Sequence, residues 1–328
     1  MTEKTETPAI EAVHISKIYQ LPQGAFRPNL PLHAVADVSL KVHKGQTLGI
    51  VGESGCGKSS LSRILVGISE PTEGALKVGG MDIGTLTGAD RRQVMQKVQM
   101  VFQSPFSSLD PRMTVEQIVR EPLDVNRKDL PLAVRKQKAR DMLEHVGLNK
   151  AIPSRYPHQL SGGQQQRVGI ARALVSEPDV VICDEPVSAL DVSVQAQVIN
   201  LLRELQQESG VAYVFVSHDL AVVANISDTI AVMYLGKIVE YGKCEDVLTQ
   251  PRHPYTIALV DSSGEPDPTY EKNRELHLLK GELPKPTDPP SGCPFRTRCW
   301  KVRDECAREA PRLMQHEGAS QAVACHFP

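Results

Sequence analysis

Apolar residues in this chain gather into short runs separated by helical patterns. Thr47 to Val51 (TLGIV) is one such run, followed by a glycine-rich turn and a helical pattern from Ser59 to Ile68. Val180 to Cys183 (VVIC) and Val211 to Ser217 (VAYVFVS) are two more, uninterrupted as in strands buried on both faces of a parallel sheet. Between them Val194, Val198, Leu201, Leu202 and Leu205 fall on one face of a helix, completing a βαβ unit. The alternation predicts an α/β domain with a parallel sheet over residues 1–250.

The pattern then changes. Of 24 prolines, 13 lie in the first 250 residues and 11 in the last 78, so proline density rises nearly threefold. Residues 251–328 therefore read as a C-terminal extension of short helices and loops, with Pro284 to Pro290 (PKPTDPP) as a stiff connector. The longest apolar runs, such as Ile230 to Leu235, are strand-sized and fall short of the roughly 18 residues of a spanning helix. Met1 to Ile10 lacks a basic region followed by an apolar stretch, so secretion is not expected.

A length of 328 residues leaves room for one large or two ordinary domains. Lys plus Arg is 37 against 39 for Asp plus Glu, a net charge of −2. With no basic excess to neutralise a phosphate backbone, nucleic acid is not the expected partner. The seven cysteines are odd in number, and Cys56, Cys183 and Cys244 are scattered, which argues against a disulfide framework.

The strongest local signal is Gly52-Glu53-Ser54-Gly55-Cys56-Gly57-Lys58-Ser59, a full match to G-x-x-x-x-G-K-S/T between a strand and a helix. Such glycines let the backbone curl until successive N–H groups converge on phosphate oxygens, and the following helix adds its positive end. Gly52, Ser54, Gly55, Cys56, Gly57, Lys58, Ser59 and Ser60 are thus expected to bind a nucleoside triphosphate. Lys58 is expected on the β- and γ-phosphates and Ser59 on Mg2+. At the end of VVIC, Asp184 suits the Mg2+ shell, and Glu185 is placed to orient or deprotonate an attacking water. Leu160-Ser161-Gly162-Gly163-Gln164 precedes a helical pattern carrying Val168, Ala171, Leu174 and Val175. Ser161 reads as its N-cap, and the two glycines leave backbone N–H groups open, which makes a second anion site.

With these residues the chain resembles the ATP-binding cassette (ABC) family, whose signature is LSGGQ; the likeness covers residues 10–250. It implies a P-loop NTPase fold: a RecA-like parallel sheet core, an antiparallel β subdomain and a helical signature subdomain near residues 106–175. It also implies two subunits paired head to tail, each ATP lying between one chain's phosphate loop and the other's Ser161, Gly162, Gly163 and Gln164. By the same resemblance Gln103 is the glutamine that senses Mg2+ and the attacking water. Asp191 belongs to the D-loop, His218 contacts the γ-phosphate, and Tyr19 stacks on adenine.

Residues 185–195 (EPVSALDVSVQ), residues 251–256 (PRHPYT) and the proline-rich tail with cysteines are similar to the ATPase subunits of bacterial dipeptide and oligopeptide importers. That likeness implies a peripheral protein on the cytoplasmic face of the inner membrane. Its implied partners are a second homologous ATPase subunit, two transmembrane permease subunits and, through them, an external peptide-binding protein. Another peptide-like cargo, or nickel, stays open. A soluble ABC ATPase of DNA repair or translation would bring two cassettes or a long coiled-coil insertion and a basic surface, and none is seen. An iron–sulfur redox protein with incidental nucleotide binding is at odds with the full hydrolytic set.

Cys293, Cys299, Cys306 and Cys325 fall within 33 residues, with five, six and eighteen residues between them. That density points to a metal site. The spacing is wider than structural zinc sites favour, whereas iron–sulfur clusters tolerate it. Some dipeptide-importer ATPases are similar here and hold a [4Fe–4S] cluster. Zinc and metal-free thiols stay open, with His326 as a spare ligand should one Cys drop out.

Overall fold

The computed structural model describes residues 7–24, 28–263, 277, 279, 281–315 and 318–328. Two sheets organise them. The first is antiparallel and contains β1 (Ile10–Leu21), β2 (Leu30–Val42), β4 (Glu73–Val78) and β5 (Met81–Asp82), in the order β2-β1-β4-β5. The second contains β3 (Thr47–Val51), β6 (Val98–Val101), β7 (Val180–Asp184), β8 (Ala212–Ser217), β9 (Thr229–Tyr234), β10 (Lys237–Lys243), β11 (Met314–Gln315) and β12 (Ala322–Val323). Its order is β11-β12-β10-β9-β3-β8-β7-β6. β3 runs parallel to β8 and β9, and β7 parallel to β6 and β8. The α/β architecture expected from the apolar pattern is the one observed.

Every residue of β3, β7 and β8 is buried, as their uninterrupted apolar runs require. Alternate side chains of β7 feed two different cores. Val180 and Ile182 join Leu61, Ile64 and Leu65 of the helix Lys58–Leu65, together with residues of the antiparallel sheet. Val181 and Cys183 join Val198 and Leu202 of the helix Val192–Ser209 and Val223 of the helix Leu220–Ile226. Gly49 in β3 is forced by this second layer: a Cβ there would overlap Val223. Three further helices, Val115–Asn126, Leu132–His145 and Gly162–Leu174, pack through Val119, Leu143 and Val168 into a helical subdomain. Among the described residues no helix is long and apolar enough to cross a membrane.

The C-terminal segment differs from the expected loops and short helices. β12 pairs antiparallel with β10 (Glu240 opposite Val323, Tyr241 opposite Ala322), and β11 with β12. Strands of two residues carry no alternation to read, so the sequence hides them. Phe295, 1% exposed, wedges its ring against Tyr234 at 5.2 Å and Tyr255 at 5.5 Å between ring centres. Beneath this seam the Glu240 carboxylate accepts from the backbone N–H groups of Arg252 (2.9 Å) and His253 (3.0 Å) and from Gln321 (3.1 Å). Burial pushes its pKa up against those donors.

His253 caps the helix Pro254–Ser262, its Nδ1 accepting from the Tyr255 N–H at 3.0 Å. Burial, then the charge of Lys301, holds its pKa down at about 3, against 6.5 ordinarily. The unfolded chain takes up a proton near pH 6.5 that the folded chain refuses until about pH 3. Stability is therefore complete above that window and falls as pH drops through it, by about 1.4 kcal/mol per pH unit for this group. His253→Asn keeps an acceptor for Tyr255 and cannot titrate. It should lower stability near pH 7 but flatten the loss between pH 6 and 4. Urea unfolding at stepped pH reads this, and identical slopes for parent and variant would remove His253 from the acid response.

Candidate active site

β3 ends at Val51 and a helix begins at Lys58, so the glycine-rich stretch is the turn joining them. Gly57, at φ +108°, occupies the helix N-cap, where a Cβ would overlap the Ala34 carbonyl oxygen; one on Gly52 would overlap that of Met233. The motif's glycines are thus demanded by the close approach of two other backbones as well as by the curl itself. Lys58 is buried, and its Nζ donates to the carbonyls of Gly52 (2.6 Å) and Glu53 (3.0 Å). Cys56, 1% exposed, lies behind the loop, and burial raises its thiol pKa.

Ser59 Oγ donates to Asp184 Oδ1 at 3.5 Å, which joins the loop to the end of β7. Asp184 is buried; that burial, and then the charge of Glu185, pushes its pKa up. A hydroxyl and a desolvated carboxylate are the hard oxygen donors Mg2+ prefers, and a cation there would relieve the crowding of two adjacent carboxylates. Ser54, Gly55, Gly57, Lys58, Ser59, Ser60, Gln103 and Glu185 line one cleft of about 260 Å³, together with Leu32, Ala34 and Pro286.

Glu185 leaves β7 in the left-handed region, φ +47°, its N–H donating to the Val216 carbonyl at 2.9 Å. A non-glycine residue held there costs on the order of 1–3 kcal/mol, and such strain concentrates at functional sites. Its carboxylate accepts from Gln103 Nε2 at 2.7 Å and lies 3.3 Å from His218 Nδ1. Residues following three neighbouring strands, β6, β7 and β8, thus meet on one carboxylate.

Ser161 and Gln164 form a reciprocal cap on the helix Gly162–Leu174. Ser161 Oγ accepts from the Gln164 N–H at 3.4 Å, and Gln164 Oε1 accepts from the Ser161 N–H at 3.1 Å. A Cβ on Gly163 would lie 2.7 Å from Val194, a reason for this glycine that the motif does not disclose. None of residues 161–164 lines the phosphate-loop cleft. Asp191, exposed, begins the helix Val192–Ser209 beside Val192, whose side chain is 82% exposed. Tyr19, half-buried on β1, faces Leu32 across the strand pair, with Lys17 Nζ 5.2 Å from its ring centre. Leu32 lines the cleft and Tyr19 does not.

Two groups that sequence reasoning missed also grip the phosphate loop. Tyr255 Oη accepts from the Glu53 N–H at 2.8 Å, and Arg298 donates to both Glu53 carboxylate oxygens at 2.6 and 3.0 Å. Tyr255 lies in the PRHPYT stretch, which does not disclose its reach to the loop, and no local signal marks Arg298.

The tail cysteines expected to hold a metal are all free thiols near one another. None of the seven cysteines forms a disulfide. Cys293, Cys299, Cys306 and Cys325 are close enough for the charges of the other three to raise the Cys293 pKa, which burial, the larger cause, helps push to about 11. Yet among the described residues no three His, Cys, Asp or Glu side chains are placed to hold a metal ion. Local bonds set these positions: the Cys293 N–H donates to the Cys306 carbonyl at 2.8 Å, and Cys325 Sγ accepts from the Phe327 N–H at 3.3 Å. His326 is no spare ligand here, since it lies 3.0 Å from the Glu309 carbonyl oxygen and 3.5 Å from the Glu305 carboxylate.

Residues 35–188 match the family described as ABC transporter, and residues 239–306 the family described as Oligopeptide/dipeptide transporter, C-terminal region. The oligopeptide transport ATP-binding protein OppF of Haemophilus influenzae is 49% identical over 294 residues, covering 90% of this chain and 88% of its own. The dipeptide transport ATP-binding protein DppF of the same organism is 46% identical over 325 residues, covering 98% and 97%. A solved dimeric ATP-binding cassette, in a post-hydrolysis state bound to ADP and Pi, superposes with a TM-score of 0.64. It is 29% identical, over 72% of this chain and 98% of that one.

Glu185→Gln removes a proton acceptor while leaving the loop intact. Nucleotide affinity should stay within a few-fold of the parent, while hydrolysis falls by at least the roughly 100-fold typical of a lost general base. Lys58→Ala should instead weaken nucleotide binding itself. Binding and turnover titrations on both variants separate the roles, and parent-rate hydrolysis by Glu185→Gln would dismiss Glu185 as the base.

Proposed function

This chain belongs to the ABC transporter family, and on that premise we propose that it is the ATP-binding and hydrolysing subunit that energises import of dipeptides or oligopeptides across a bacterial cytoplasmic membrane. The observation that carries this is the meeting of Gln103 and His218 on Glu185, which with Gln103 lines the phosphate-loop cleft.

In this reading residues 52–60 cradle the triphosphate, and Ser59, Asp184 and Gln103 hold Mg2+, which neutralises phosphate charge when bound. Glu185 orients the attacking water and takes its proton. Gln103 and His218 fix the carboxylate, and His218 also reaches the γ-phosphate. Tyr19 supplies the stacking face for adenine, across the strand pair from the cleft residue Leu32. The signature residues 161–164 and the D-loop Asp191 lie outside that cleft, with apolar Val192 exposed beside them. They fit a second, homologous ATPase subunit arranged head to tail. The two transmembrane permease subunits receive the force, with an external peptide-binding protein beyond them, and the chain sits peripherally on the cytoplasmic face.

Residues 1–250 form the ATPase domain and 251–328 its extension. Four neighbouring thiols in that extension support a [4Fe–4S] cluster over zinc, because four irons hold their thiolates further apart than one ion does. The cluster's part is to order the tail.

The isolated chain should be a poor ATPase whose rate per chain rises with concentration. It should be stimulated by the partner ATPase, the permease pair and peptide-loaded binding protein. Full activity in a demonstrated monomer would end the shared-site reading, and indifference to peptide would end the cargo assignment. Anaerobic purification followed by iron, sulfide and zinc analysis should find about four irons and four sulfides per chain. One zinc without sulfide, or no metal, would overturn the cluster.

A further inference from the structure

The Glu53 carboxylate belongs to the loop that receives a polyphosphate, where an unpaired negative charge opposes binding. It is not unpaired. The Arg298 guanidinium grips it with two parallel bonds of 2.6 and 3.0 Å, the geometry that makes an arginine–carboxylate pair strong. The Arg298 side chain is 4% exposed, so solvent screens little of its charge. Its guanidinium also lies 5.9 Å from the Tyr234 ring centre. The Arg298 N–H donates to the Phe295 carbonyl at 3.0 Å, and Phe295 is locked between Tyr234 and Tyr255. Tyr255 in turn accepts from the Glu53 N–H. The phosphate loop is therefore held, by side chain and by backbone, from residues that follow the ATPase domain.

We propose that Arg298 is a positioning residue for nucleotide binding: it neutralises Glu53 and fixes the phosphate loop in its open curl, so the C-terminal extension tunes ATP affinity. This rests on the nucleotide-binding reading above. A tail that merely ties itself down through Arg298 would leave nucleotide affinity indifferent to the charge of Glu53. In the proposed arrangement that charge is the deciding quantity.

The test compares MgATP affinity, by calorimetry on the full-length chain, for the parent, Arg298→Ala, Arg298→Lys, Glu53→Gln and the Arg298→Met/Glu53→Gln double variant. Thermal melting of each shows that it is folded. Arg298 is buried and Glu53 partly exposed (29%), and truncating one partner of such a pair leaves the other uncompensated. Arg298→Ala should therefore weaken MgATP binding about tenfold or more, in a salt-dependent way, and Arg298→Lys, which keeps the charge and loses the fork, by less. The double variant removes both charges and should recover to within about threefold of the parent. If Arg298→Ala does not fold, the contrast between Arg298→Lys and the double variant carries the same reading. Parent-like affinity in a folded Arg298→Ala protein, or a double variant as weak as the single one, overturns the proposal and leaves Arg298 a tail anchor. If the parent itself binds no MgATP, the nucleotide-binding reading fails first and this one with it.

Discussion

At Gly52 and Gly57 the phosphate loop passes closer to the carbonyls of Met233 and Ala34 than any side chain would allow. This approach joins three layers at one point. Met233 belongs to β9 of the parallel sheet, Ala34 to β2 of the antiparallel sheet, and the loop opens the helix between them. A substitution at either glycine would push apart the sheets whose facing sides make one of the two cores, besides distorting a loop. The packing of the cassette and the shape of its phosphate cradle are therefore one constraint.

The opposite wall of the cleft is set by charge. Asp184 and Glu185 are consecutive carboxylates at the end of a strand buried throughout, an arrangement that desolvation alone would disfavour. The left-handed turn at Glu185 keeps them apart. Asp184 stays with Ser59 on the loop side, and Glu185 swings to meet Gln103 and His218. Backbone strain at one residue thus divides two like charges between two tasks.

How much of this was legible in the sequence follows from how local each device is. Phosphate binding by backbone amides needs consecutive residues, so residues 52–59 announce themselves. Strand-end carboxylates and the histidine after β8 follow apolar runs and can be placed once those runs are read as strands. Arg298 lies 245 positions from Glu53, and an arginine in a proline-rich tail carries no mark of its partner. The steric demand of Val194 on Gly163 is equally non-local. For the four thiols, spacing shows that they can be neighbours, but side-chain orientation decides whether they converge, and spacing does not encode it.

The pairing of β12 with β10 has a consequence for biosynthesis. Synthesis runs at roughly 5–20 residues per second, so β10 is made several seconds before the strand that covers it. During that interval its backbone donors and acceptors form an open edge, the kind of surface on which nascent chains stick to one another. Glu240 puts a buried carboxylate in that strand, which makes its edge a poor template for another chain. Its carboxylate points inward at the site Gln321 later occupies, and a strand from another chain docking there would bury that charge without the amide it meets in the finished fold. The carboxylate that three donors satisfy in the mature protein thus makes a poorer fit for the wrong partner while the right one is still on the ribosome.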